Sequence, residues 1–338
     1  MDTVKPTVLL DCDPGHDDTI AILAASQLTN LVGITTVAGN APLAMTTHNA
    51  LAVCDHFGID VPVHAGADRP LLVAPHHAPD IHGPTGLGGT NLPDPNRTID
   101  STMAASFIID ASHQHSDLWL VPVGPLTNIA LALRMDPSLA DRIAGISIMG
   151  GGIGFGNVTP MAEFNLFFDP HAAKIVFDSG ITLQMCGLDL THQVMVTPED
   201  AAGFRGVATA LNAGSPPQND GSTGGDGKAD PTLHADRAGF VADVITYFAQ
   251  RYQAVTGGEE LGPMHDPCAV IAITNPELFT SEMLEVRVET EGANRGMTAA
   301  DLRGFPGRAT PNVLVHRQAN ATEIRRVMFE AVTKAIRA

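Results

Sequence analysis

Short apolar, β-branched runs alternate along this chain with longer stretches whose apolar positions recur at helical spacing. The runs predict strands at Val8–Asp11, Val32–Val37, Leu118–Val123, Ile143–Met149, Ile181–Cys186 and Leu284–Glu289. The longer stretches predict helices at Asp17–Leu28, Leu43–Phe57, Thr127–Arg134, Pro170–Ser179 and Pro198–Leu211, and a long apolar one at Ala238–Ala254. Alternation of this kind predicts an α/β fold with a mostly parallel central sheet and helices on both faces, an open Rossmann-like arrangement. Near-continuous apolar strands such as Ile146-Ser147-Ile148-Met149 fit burial on both faces.

One segment breaks the alternation. Gly214–Asp230 has no aliphatic side chain larger than alanine, so burial cannot offset the entropy of ordering it. A flexible surface insertion within one domain spanning 1–338 is expected there. Length alone leaves one large domain or two open, since 338 residues exceed the ~250–300 at which single cores stop growing.

Composition narrows the partners. Hydrophobic residues make up 44% of the chain, enough for a substantial core, yet no apolar run approaches the roughly 18 residues of a membrane span. The apolar segment after Met1–Pro6 is shorter than the roughly 7–15 residues of a secretory leader, so a cytoplasmic protein is expected. The 19 basic and 37 acidic side chains leave a net charge of -18, which repels nucleic acid and anionic membranes but not a neutral small molecule or a cation. Cys12, Cys54, Cys186 and Cys268 form no C-x-x-C pair and are expected as small buried hydrophobes.

The candidate chemistry begins at Asp11-Cys12-Asp13-Pro14-Gly15-His16-Asp17-Asp18, directly after the first strand. Four carboxylates in such a turn repel one another unless they take up protons or share a divalent cation. Pro14 and Gly15 supply the turn, and Asp17 or Asp18 can cap the helix while facing the point that Asp13 faces. Polar residues also follow other strands: Gly39-Asn40, Gly124 to Asn128, and Gly150-Gly151-Gly152. In open α/β sheets ligands bind beyond the carboxyl ends of the strands, where these loops converge. Met264-His265-Asp266-Pro267-Cys268 adds an acid and a histidine able to titrate near neutral pH. The stretch Asn157 to Asn165 offers acceptors and donors suited to sugar hydroxyls, and read alone is equally a surface loop.

Taken together, DCDPGHDD, ITTVAGN, the IHG at Ile81–Gly83, VGPLTN, MGGG, AEFN and HDPCAV resemble the inosine-uridine nucleoside hydrolase family, in family order over nearly the whole chain. The resemblance implies a Ca2+-dependent hydrolysis of the N-glycosidic bond of ribonucleosides to free base and ribose. It implies Asp13, Asp18, Asp266 and the main-chain carbonyl of Thr127 as ligands of Ca2+, with Asp13 also the base that activates water. It implies Asp17, Asn40 and Asn165 at the ribose diol, Asn157 and Glu163 at the 5′-hydroxyl, and Met149 near the ring. His82, Phe164 and Tyr252 would border the base, and His265 would protonate it as it leaves. A homodimer or homotetramer acting in nucleoside salvage is implied as well. His16 fills a position where the family commonly has an apolar residue. Purine, pyrimidine and broad specificity stay open, with broad specificity expected because His265 and Tyr252 are both present.

Two other functions compete. A metal-dependent phosphatase also places D-x-D after a first strand, but that chemistry uses cations on the phosphate, and no Lys or Arg lies between Lys5 and Arg69. A catalytically silent nucleoside or ribose binder would keep the same site residues.

Overall fold

The computed structural model describes residues 5–213, 231–304 and 310–338; the insertion expected at 214–230 lies outside them. In chain order the strands are β1 (Thr7–Cys12), β2 (Asn30–Thr36), β3 (Val63–Ala65), β4 (Trp119–Pro122), β5 (Gly145–Met149), β6 (Leu183–Cys186), β7 (Met195–Val196), β8 (Gly262–Pro263), β9 (Phe279–Leu284), β10 (Val286–Val288), β11 (Thr298–Ala300) and β12 (Val313–Ala319). The helices are α1 (His16–Leu28), α2 (Leu43–Phe57), α3 (Pro79–His82), α4 (Ala104–Gln114), α5 (Thr127–Met135), α6 (Phe164–Phe168), α7 (Pro170–Phe177), α8 (Leu188–Thr191), α9 (Pro198–Ala213), α10 (Pro231–Thr256), α11 (Asp266–Thr274) and α12 (Ala321–Arg337).

The main sheet has eight strands in the order β3-β2-β1-β4-β5-β6-β12-β9. Every pair is parallel except β12 with β9. The chain winds outward from β1 to β3, returns, and winds the other way from β4. That reversal leaves a crevice at the carboxyl ends of β1 and β4, where doubly wound sheets bind ligands. The acidic turn follows β1, so the topology itself delivers it to this crevice.

Helices cover both faces, as the alternation predicts. One face packs side chains of α1, α2, α10, α11 and α12 against the sheet; the other packs those of α4, α5 and α7. α1 is buried from His16 through Ala25 and α11 from Asp266 through Ala272, so both are inner helices without a polar side. α12 covers them and is amphipathic, burying Ile324, Met328, Ala331, Val332, Ala335 and Ile336 on one stripe.

The boundary expected at Leu284–Glu289 differs. The apolar run is cut at Glu285: β9 ends at Leu284, and Val286–Val288 leaves the main sheet to pair with β11. Asn312 makes the break, accepting from the Val286 N–H at 2.8 Å and donating to the Val286 carbonyl at 3.1 Å.

β5 and α11 are joined by one buried hydrogen bond, from the Ser147 hydroxyl to the Ala269 carbonyl at 2.7 Å. Ser147→Ala removes this bond while the Ala269 carbonyl keeps its helical donor, and should lower unfolding stability by about 0.5–1.5 kcal/mol. Urea titration should show an earlier midpoint with an unchanged slope.

Candidate active site

The acidic turn is held by its own third helical residue. Asp18 reaches back to accept from the main-chain N–H groups of Gly15 at 2.9 Å and Asp13 at 3.0 Å, capping α1 from within. It also accepts from the Asn40 side chain at 3.1 Å. Asp13 accepts from the Asn40 main-chain N–H at 2.6 Å. Its carboxylate lies between two glycines that follow β2 and β4. A Cβ on Gly39 would come within 2.0 Å of one Asp13 oxygen and a Cβ on Gly124 within 2.4 Å of the other. Only residues without a side chain let the strand ends close around this group.

Asp266 enters from the opposite side, at the first position of α11. Asp17, Asp18 and Asp266 are buried and each offers an oxygen, all within 4.8 Å of one another. The Asp266 main-chain N–H donates to Asp17, and Asp18 shares side-chain hydrogen bonds with both Asp13 and Asp266. Burial raises all four carboxyls above their ordinary range. The Asp18 charge adds to the rise at Asp13 and Asp17, and the charges of Asp17, Asp18 and Asp13 add to it at Asp266. Among the described residues no lysine or arginine is one of the main influences on them. Carboxylates in this state hold protons or hold a cation, and a set of hard oxygen donors fits Ca2+ or Mg2+.

Beneath the cluster lies a polar layer that the sequence motifs touched only in part. Asp11, expected merely as one of the four acids, points away from the other three. It accepts from Thr35 at 2.6 Å and from Asn128 at 2.7 Å, and burial pushes it up to about 7. Thr127 opens α5, and its hydroxyl donates to Asp169 at 2.8 Å. Asp169 also caps α7.

Above the carboxylates opens a cavity of about 440 Å³. Asp17 and Asp266 form part of its lining, whereas Asp13, Asp18 and Thr127 sit below the walls. Asn40, Met149, Glu163 and Asn165 line it near the strand ends, and Asn157 lies exposed at its mouth. Glu163 caps α6 and accepts from the N–H groups of Asn165 at 2.8 Å, Gly151 at 3.0 Å and Leu166 at 3.2 Å; burial pushes it up to about 7. Asn165 donates to the carbonyls of Val123 at 2.8 Å and Met149 at 3.3 Å, tying α6 to the ends of two loops. His82, Phe164, Tyr252 and His265 line the remaining wall.

Two further ring-bearing residues line the cavity outside the expected site set. Phe248, one turn before Tyr252, could equally be core by its spacing. His192 follows the four-residue helix α8, and no periodicity marks it. In the structure His192 lies 3.4 Å from the Tyr252 hydroxyl, and its ring centre is 5.5 Å from that of His265. His265 contacts the Thr191 hydroxyl at 2.7 Å, and burial holds it down at about 3, so it is neutral at pH 7. Among the described residues no lysine or arginine lines the cavity, so none of them offers a phosphate a cationic partner there.

The chain is similar to known proteins over nearly its whole length. Residues 8–327 match the model of the family described as inosine-uridine preferring nucleoside hydrolase. A pyrimidine-specific ribonucleoside hydrolase RihA from Shewanella woodyi is 39% identical over 320 residues, covering 93% of this chain and 91% of the relative. A pyrimidine-specific ribonucleoside hydrolase RihB from Escherichia coli is 40% identical over 308 residues, covering 90% of each chain. Among solved structures, a purine-preferring ribonucleoside hydrolase from Gardnerella vaginalis superposes with a TM-score of 0.85 at 29% identity, over 98% of this chain and 99% of that one.

The raised carboxyls set the sign of a pH dependence. A folded-state value above the ordinary 3.8 means that the folded protein binds more protons than the unfolded one. Without a divalent cation, stability should therefore fall as pH rises above about 4. Thermal melts should show that decline in chelator and its reversal on adding Ca2+. Asp266→Asn should raise the melting temperature in chelator and abolish the rise on adding the cation.

Proposed function

The chain belongs to the inosine-uridine preferring nucleoside hydrolase family and is a ribonucleoside hydrolase; from that premise we propose a Ca2+-dependent enzyme that prefers pyrimidine ribonucleosides and activates its water with Asp13. The cation would be held by Asp13, Asp18, Asp266 and the Thr127 main-chain carbonyl. Bound there, it offsets the repulsion among the carboxylates and makes adjacent water more acidic. The observation that carries this reading is the division of the cavity: acids and amides at the sheet end, rings at the other. A ribose needs the first half and a base the second.

Each residue has a task in that reading. Asp13 takes the proton from the attacking water, and the Asn40 N–H with the two flanking glycines keeps its carboxylate aimed. Asp17, Asn40 and Asn165 hold the 2′- and 3′-hydroxyls. Asn157 and Glu163 take the 5′-hydroxyl, and Met149 lies against the sugar ring. Breaking an N-glycosidic bond makes the ribose oxocarbenium-like, and the buried carboxylates place negative charge around it. His82, Phe164 and Tyr252 border the base. His265, neutral by burial, gives a hydrogen bond to the departing base. Pyrimidine preference rests on the relatives near 40% identity, both of them pyrimidine-specific by name.

Release of reducing sugar from uridine, cytidine, inosine and adenosine tests the proposal. Uridine and cytidine should be cleaved fastest, chelator should stop the reaction and Ca2+ should restore it. Absence of sugar release, or inosine cleaved well ahead of uridine, overturns the respective part.

Asp13→Asn should lower kcat by about 10²–10⁴-fold, the usual range for removing a general base. Nucleoside binding by calorimetry should largely survive. A variant that keeps full turnover removes Asp13 from the mechanism.

A further inference from the structure

The β10–β11 hairpin leaves the main sheet and adds no residue to the cavity lining, yet it touches the segments that carry the ribose end at three places. Gly296 packs on α6: a Cβ there would lie 2.5 Å from the Phe167 Cα, and the Arg295 guanidinium sits over the Phe167 ring, 4.2 Å from its centre. Met297 pairs with Ala162, the residue before Glu163, in an isolated antiparallel bridge. Thr298 reaches further. Its side chain is buried, and its hydroxyl accepts from the Gly152 N–H at 2.9 Å while donating to the Gly152 carbonyl at 2.7 Å. A hydroxyl has one proton and two lone pairs, so one atom satisfies both main-chain groups of that glycine. The Thr298 methyl stands against Gly151, where a Cβ would meet it at 2.8 Å.

The grip matters because of what Gly151 does. It turns the chain after β5 with a φ of 74°, in the left-handed region. Its N–H donates to Glu163 at 3.0 Å. The N–H groups of Asn165 and Leu166 also donate to that carboxylate, but they belong to α6, the helix that Glu163 itself caps. Those bonds hold Glu163 to its own helix; the bond from Gly151 ties it to the end of the sheet. Gly151 is held in turn by its carbonyl, which accepts from the Leu188 N–H at 2.9 Å, and by its neighbour Gly152. Gly152 has no side chain to pack. Among the described residues its main-chain groups are bonded by Thr298 alone.

We propose that Thr298 is a positioning residue: from outside the cavity it grips Gly152, so that the Gly151 N–H aims the Glu163 carboxylate at the 5′-hydroxyl of the substrate. The aim rests on the reading of Glu163 as a partner of that hydroxyl; the grip does not.

Thr298→Val keeps the shape of the side chain and removes the hydroxyl. Steady-state cleavage of uridine and of 5′-deoxyuridine separates lost aim from general damage, because only uridine has the group that Glu163 takes. The unaltered protein should favour uridine. Thr298→Val should shrink that preference about tenfold, the size of one lost hydrogen bond, while kcat/KM for 5′-deoxyuridine falls far less. Thr298→Ser, which keeps the hydroxyl, should retain the preference. Glu163→Ala removes the partner, and adding Thr298→Val to it should shrink the preference no further. Should Thr298→Val not fold, Thr298→Cys, whose thiol bonds only weakly, gives the same comparison. Amide exchange in ligand-free protein reads the grip alone: the Gly152 N–H should exchange about tenfold faster in the variant. Equal losses for both substrates, or a preference that is unchanged or absent from the start, overturn the aim. Unchanged exchange overturns the grip. An unaltered protein that cleaves no nucleoside refutes the functional reading and the aim with it, whereas exchange still decides the grip.

Discussion

Mutual repulsion among buried carboxylates is the constraint on which the rest of the site depends. Asp13, Asp17, Asp18 and Asp266 are brought together out of water, with no cationic side chain paired to them among the described residues. An apolar protein interior would not form around such a group without compensation. The compensation visible in the chain is directional. Main-chain N–H groups of Gly15, Asp13, Asn40 and Asp266 all point at these oxygens, and two helices begin there. Helix N-termini favour negative charge, so the start of α1 and the start of α11 face a common point from two sides. What those donors leave unbalanced is the charge that a hard cation could offset.

The surrounding polar layer keeps this arrangement in register. Asn128 illustrates the principle: its amide donates to Asp11 and to the Thr36 carbonyl, and its oxygen accepts from the Ala67 N–H at 2.8 Å. One side chain thereby ties the end of β2, the loop beyond β3 and the interior acid of β1 to the start of α5. Asp169 does similar work between Thr127, the Leu71 N–H and the start of α7. Neither residue touches the cavity, yet each limits where the strand ends can lie.

How much of this was legible in the sequence depended on whether a residue's neighbours carried a pattern. The acidic turn was legible because four carboxylates in eight positions have few structural uses. Leu43–Phe57 was predicted to its limits because its apolar spacing is regular and Gly58 ends it in a left-handed conformation. The parallel sheet followed from the alternation of elements. β12 was missed because His316, Arg317 and Gln318 interrupt its apolar run; the burial of His316 depends on Ser281 and Gln184, far away in sequence. α12 was missed although its stripe is clear once the inner helices beneath it are known. The same limit applies within the site. Asn40, Asn165 and Asp266 adjoin strand ends or helix starts and could be read locally. The place of His192 and the grip of Thr298 on Gly152 exist only through contacts between distant segments, which no spacing records.

The glycine clamp on Asp13 has a bearing on how this scaffold could be altered. Because Gly39 and Gly124 admit no side chain beside Asp13, these two positions in the loops after β2 and β4 offer no room for diversification. The opposite rim is different: Asn157, Val255 and Thr256 line the cavity while remaining open to solvent, on segments that do not support the carboxylates. Libraries aimed at new leaving groups belong at Val255 and Thr256, the rim positions to which no contact with the sugar is assigned.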